Sequence, residues 1–165
     1  MSSLIEYKRE VDRFGHVIIP SSETGFVTHA LEQAKTLALD SLTTSGSYSE
    51  IGLKYYLPLR YDDSDLHPVI SQLYNIEERL LSNVTTARRT LHLLEQGGKF
   101  PRHWDPNTYS TVLLIRKPEE GGDFYVEDKL VSFEEGDLLV LRQGIEHEVL
   151  RVKRGQRISL VSFLD

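Results

Sequence analysis

From Thr85 to the end of the chain the apolar residues recur with a period of two, and that one feature leaves few folds open. Strands are expected near 88–95, 109–116, 122–126, 129–133, 138–142, 146–152 and 156–164. Turn-forming residues separate them: Gly97-Gly98, Pro118 to Gly122, Glu127-Asp128, Glu134 to Asp137, Gln143-Gly144 and Arg154-Gly155. Many short strands so closely spaced imply a sandwich or barrel, with alternate side chains turned inward. The first 84 residues read differently. Phe14 to Pro20 forms a short β-branched strand, and helices are expected over about 24–42, capped by Ser21 or Ser22, and over about 65–81, led by capping residues at 62–64. The small polar run Thr43 to Tyr48 reads as a loop. The fold class is mainly β with flanking helices, in one domain over residues 1–165: a strand and supporting helices over 1–84, then the β core over 85–165.

Two short motifs in this β-rich half carry chemistry. His103-Trp104-Asp105 places an imidazole and a carboxylate two positions apart, so at a strand end both project to one side. His147, in the segment Glu146 to Leu150, can add a third ligand. Two histidines and a carboxylate make a facial triad that holds iron(II) and leaves positions open for an organic acid and oxygen. Alternation turns Glu146 and Glu148 away from His147. Arg157 follows among apolar neighbours on the last strand. An inward guanidinium needs an anion, either an internal Asp or Glu or the carboxylate of a bound co-substrate. Ser159 shares its face and can donate a hydroxyl to the same anion.

The segments Glu95 to Asp105, Gly121 to Phe124, Glu135 to Leu141, His147 to Val149 and Gly155 to Ser159 together resemble the iron(II)- and 2-oxoglutarate-dependent dioxygenases, within them the prolyl 4-hydroxylase-like group. The resemblance runs from Leu91 to Leu164. One departure is Leu94, where many relatives carry an aromatic residue before the glycine turn. Asp105 is itself informative, because the halogenating members carry a small residue there. The resemblance implies a double-stranded β-helix, or jelly roll, backed by the two N-terminal helices. It implies iron(II) on His103, Asp105 and His147, 2-oxoglutarate held at its far end by Arg157 and Ser159, molecular oxygen as co-substrate and ascorbate as a candidate reductant. The implied reaction couples oxidative decarboxylation of 2-oxoglutarate to hydroxylation of an unactivated C–H bond, in an amino-acid-like small molecule or a protein side chain such as proline. The alternative is a cupin-like metal- or ligand-binding jelly roll without turnover.

Several residues stay open between roles. Lys54 to Tyr61 gathers three tyrosines, two basic residues and a proline, and reads either as a substrate wall carrying Tyr55, Tyr56 and Arg60 or as an extended segment on the flank of the barrel. Tyr109 is either pocket lining or barrel core. His92 faces inward on a central strand, as a satisfied core histidine rather than a ligand, and His67 is a surface or capping residue. The net charge of −6 argues against a general polyanion binder, so no nucleic-acid partner is expected. The chain has no cysteine, so disulfide and thiolate chemistry are excluded. It has no leader-like start and no apolar run that spans a bilayer, and a reducing cytoplasmic setting is expected. The expected partner is a small-molecule or peptidyl substrate, and nothing in the sequence sets an oligomeric state.

Overall fold

A computed structural model describes residues 3–26, 28–50, 54–59 and 66–165. In chain order the elements are α1 (Leu4–Phe14), β1 (His16–Ile19), α2 (Ser21–Thr24), α3 (Thr28–Ser45), β2 (Ser47–Ser49), β3 (Lys54–Leu59) and α4 (His67–Leu81). Ten strands follow: β4 (Thr86–Leu94), β5 (Phe100–His103), β6 (Tyr109–Arg116), β7 (Glu120–Gly121), β8 (Phe124–Val126), β9 (Lys129–Val131), β10 (Leu138–Arg142), β11 (His147–Val149), β12 (Val152–Arg154) and β13 (Arg157–Leu164).

All strand pairs are antiparallel. Seven strands form a major sheet in the order β1-β10-β6-β13-β4-β3-β2, four form a minor sheet in the order β5-β11-β8-β9, and β12 pairs with β7. The sheets are open rather than closed into a barrel. Period two divides the core into two layers. Leu91, Leu93, Leu113, Ile115, Ile158 and Leu160 point to the outer face of the major sheet and pack on the helices through Val11, Ala38, Leu73 and Leu80. Val112, Leu114, Val161 and Phe163 point to the inner face and meet Phe124, Val126, Phe133 and Val149 of the opposing layer. Every residue of β13 is buried, so this central strand reads as an unbroken apolar run with Arg157, Ser159 and Ser162 set into it.

The two expected helices are α3, which starts at Thr28 rather than near residue 24, and α4, and α1 precedes them. Its sequence is charged, but Ser3 and Glu6 form a reciprocal capping box and Tyr7 and Val11 give it a buried face. Part of the expected polar loop pairs as β2 with β3. The expected capping residues 62–64, and Asp65 at the expected start of the second helix, lie outside the described residues. On the helical side Glu77 of α4 is buried and receives both guanidinium nitrogens of Arg89, at 3.1 and 3.0 Å, and the Thr111 hydroxyl at 2.7 Å. No helix among the described residues is long and apolar enough to cross a membrane.

Candidate metal centre

β5 and β11 are neighbours in the minor sheet, and His103 pairs directly with His147 in their register. That pairing is what closes 44 residues of sequence into one site. Asp105 lies just beyond the end of β5. One ligand atom from each of His103, Asp105 and His147 falls within 4.8 Å of the others. The Nε2 of His103 is 3.7 Å from Asp105 Oδ1, and the Nε2 of His147 is 3.6 Å from Oδ2.

The imidazoles are oriented by their own strands. His103 Nδ1 lies 2.7 Å from the Pro101 carbonyl and His147 Nδ1 lies 3.0 Å from the Ile145 carbonyl. A carbonyl only accepts, so Nδ1 carries the proton in both rings and each Nε2 turns a lone pair toward the cluster. His147 is buried, stacked at 7° on Phe124, and burial lowers its pKa against the opposing effects of the Ile145 carbonyl and Asp105. It therefore stays an uncharged donor at neutral pH. Asp105 Oδ2 accepts a hydrogen bond from Ser110 Oγ at 2.7 Å. Ser110 was not singled out from the sequence, although period two on β6 places it on the same inner face as Val112.

Arg157 opens the inner row of β13. It is 3% exposed, its Nη1 lies 3.2 Å from Ser159 Oγ, and its Nη2 has no hydrogen-bond partner among the described residues. The neighbouring rings of Phe124 and Phe133 each have their centre 5.8 Å from the guanidinium carbon. Burial lowers its pKa to about 10, which leaves it charged at neutral pH. The internal carboxylate that a buried arginine would otherwise require is not among its described contacts. The glycine turn serves this residue: Gly122 has φ 68°, and a Cβ there would sit 2.8 Å from Pro118 and 3.6 Å from Arg157 Cδ.

His103, Asp105, His147, Arg157 and Ser159 thus line one cavity, together with His92, Phe100, Val112, Phe124, Val149, Val161 and Phe163. The tyrosines separate. Tyr56 pairs with His92 in the β3–β4 register and is 40% exposed. Tyr55 pairs with Leu93 and packs on the helical side, with its ring 4.6 Å from that of Tyr48. Of the two readings open for Tyr109, the structure carries the features of barrel core. The residue takes the outer face of β6, where its hydroxyl donates to Asp12 at 2.9 Å, and so belongs to the core against the helices. Arg60 lies outside the described residues.

The antiparallel sheets form a jelly roll, the fold seen in solved 2-oxoglutarate/Fe(II) oxygenases. Among solved structures the chain is similar to an oxidoreductase of the 2OG-Fe(II) oxygenase family from Burkholderia pseudomallei, at 17% identity and TM-score 0.75, covering 99% of this chain and 90% of that one. It is similar also to a prolyl-4-hydroxylase from Pseudomonas putida, at 16% identity and TM-score 0.77, with 98% of both chains covered. A third is the epimerase SnoN from nogalamycin biosynthesis, in complex with Fe3+, α-ketoglutarate and nogalamycin RO, at 13% identity and TM-score 0.80, covering 98% of this chain and 82% of that one. At such identities the likeness establishes the fold. No family model matches the sequence, and no curated protein sequence matches it.

Proposed function

We propose that residues 1–165 form a single iron(II)- and 2-oxoglutarate-dependent oxygenase domain that hydroxylates an unactivated C–H bond in an amino-acid-like small molecule or a protein side chain. The observation that carries this reading is the pairing, in one cavity, of a His-Asp-His donor cluster with a buried arginine that lacks an anion. A buried cation is costly without a counter-charge, and a dicarboxylic acid reaching from the donor cluster to Arg157 supplies one.

His103, Asp105 and His147 would hold the metal, leaving one side open. Iron(II) and 2-oxoglutarate, when bound, supply the oxidising chemistry: oxygen is consumed, 2-oxoglutarate gives succinate and carbon dioxide, and the substrate carbon gains a hydroxyl. Arg157 binds the far carboxylate bidentately and Ser159 Oγ donates to it. Phe124, Phe133, Val112 and Val161 exclude water from the cavity. Ser110 Oγ donates to Asp105 and fixes which carboxylate oxygen faces the metal. Ascorbate would serve as reductant when the centre becomes oxidised.

Anaerobic titration of the metal-free protein with iron(II) and then 2-oxoglutarate tests the reading. The visible charge-transfer band of the chelate is expected in the parent protein and not in His147→Ala. Metal binding with no such band would leave a cupin-like binding module and sink the oxygenase assignment.

A further inference from the structure

Arg88 and Arg89 are neighbours on β4 with opposite fates. Arg89 points to the helices, where Glu77 neutralises it at 3.0 Å. Arg88 points to the inner face. It pairs in register with Phe163, and its guanidinium carbon sits 4.2 Å from the centre of that ring. Phe163 in turn pairs with Ser110, the residue that donates to Asp105. Arg88 therefore stands two strands from Ser110, about 10 Å across the sheet, on a ring that lines the cavity. It is exposed and has no ion pair among the described residues.

Nor does Arg88 duplicate Arg157. The residue opposite Arg157 on β4 is Leu94, six positions from Arg88, or about 20 Å of strand. Arg157 and Phe163, the ring that carries Arg88, both line the cavity six positions apart on β13, so one carboxylate cannot meet both guanidiniums. The inner face between them carries only cationic or neutral residues among those described: Lys54, Tyr56 and Pro58 on β3, and Arg88, Thr90, His92 and Leu94 on β4. Lys54 Nζ lies 4.7 Å from the Phe100 ring centre and also lacks an acidic partner among the described residues. In a chain of net charge −6, a β3–β4 row free of acids among the described residues draws anions preferentially. Tyr56, Pro58 and Arg88 are the exposed members of that row, whereas Thr90 and Leu94 are buried.

We propose that the substrate to be oxidised is a small organic acid of amino-acid size, and that Arg88 binds its carboxylate while the carbon to be oxidised lies over the donor cluster. The proposal rests on the oxygenase reading above and names its substrate class. Phe163 holds the guanidinium plane, so that the fork is presented rather than mobile. The two-strand span from Arg88 to Ser110, about 10 Å, limits the acid to amino-acid size.

The test uses the full chain loaded anaerobically with iron(II) and 2-oxoglutarate, and the probes are the proteinogenic L-amino acids offered as free acids and as carboxamides. Two signals report binding: a shift of the charge-transfer band, and the fluorescence of Trp104, the single tryptophan, which lies between two of the candidate ligands. The expected result is that at least one free acid binds, that its carboxamide binds at least tenfold more weakly, and that Arg88→Gln abolishes this preference. Arg88→Lys should restore part of it. The Arg88→Gln protein should keep the parent charge-transfer band and 2-oxoglutarate affinity, which separates substrate binding from the co-substrate site. If no free acid binds, or if Arg88→Gln keeps the acid preference, the proposal is overturned. Arg88-dependent binding of a capped peptide carrying Asp or Glu, with every free acid failing, would move the carboxylate to a protein side chain and overturn the small-acid assignment. Loss of the band in the parent protein would instead strike the oxygenase reading itself.

Discussion

Arg157 and His92 show how single buried positive or titratable groups tie this site to measurable behaviour. Arg157→Lys keeps the charge but cannot copy a planar fork, so the dissociation constant for 2-oxoglutarate should rise by about tenfold or more, read from the charge-transfer titration. Unchanged affinity would remove Arg157 from the co-substrate site. Ser110→Ala should lower iron(II) affinity by about 10–100-fold, as expected for loss of a hydrogen bond to a ligating carboxylate, with little change in unfolding. His92 lies opposite Ser159 and Tyr56, its ring 5.1 Å from that of Phe100. Burial first, then the charges of Arg157, Lys54 and Arg88, push its pKa down to about 3 from an ordinary value of 6.5. Between those values the unfolded chain takes up a proton that the folded chain refuses. Stability is therefore lost as pH falls below about 6.5, with a slope of up to about 1.4 kcal/mol per pH unit. Urea unfolding of metal-free protein at several pH values should show a shallower slope for His92→Asn than for the parent; equal slopes would show that His92 titrates normally.

At the scale of elements, the link between α4 and the major sheet is polar as well as apolar. Glu77 accepts from Arg89 and Thr111, and Arg89 also donates to Ser162 on β13 at 2.5 Å. Glu77→Ala would strand a buried guanidinium, and the expected loss is about 3–5 kcal/mol of unfolding free energy in a denaturant titration. A loss under 1 kcal/mol would mean that Arg89 finds water or another partner. Most strands of the second half were legible in the sequence because apolar residues fill at least one of their faces at period two, and glycine marks most of the turns between them. The metal cluster was legible for a different reason: HxD and a distant histidine need only strand pairing to meet, and the β5–β11 register supplies it. α1 was not legible from apolar periodicity, since Tyr7 and Val11 are its only buried side chains, although Ser3-x-x-Glu6 carried the capping signal. Tyr55 and Tyr109 illustrate the remaining gap. Composition brings a tyrosine near a site, but one step of register decides which face it occupies.

Across the whole molecule the two faces of one sheet divide the labour. Helices cover the outer face of the major sheet, while its inner face carries Arg157 and the accessible Arg88 and looks across to the donor cluster on the minor sheet. Both imidazoles of the cluster take their tautomer from a carbonyl two residues earlier in their own chain segment, rather than from the metal. A ring whose shape is set in advance does not choose strongly among divalent ions of similar size, so affinity should follow the general order in which zinc and copper outrank iron. Micromolar zinc is expected to displace iron(II), erase the charge-transfer band and leave thermal unfolding at least as high as that of the iron form. Removing zinc with a chelator and returning iron(II) should restore the band without a refolding step. Which metal resides in the protein would then be decided by supply in its surroundings, and a purified sample would carry the history of its medium.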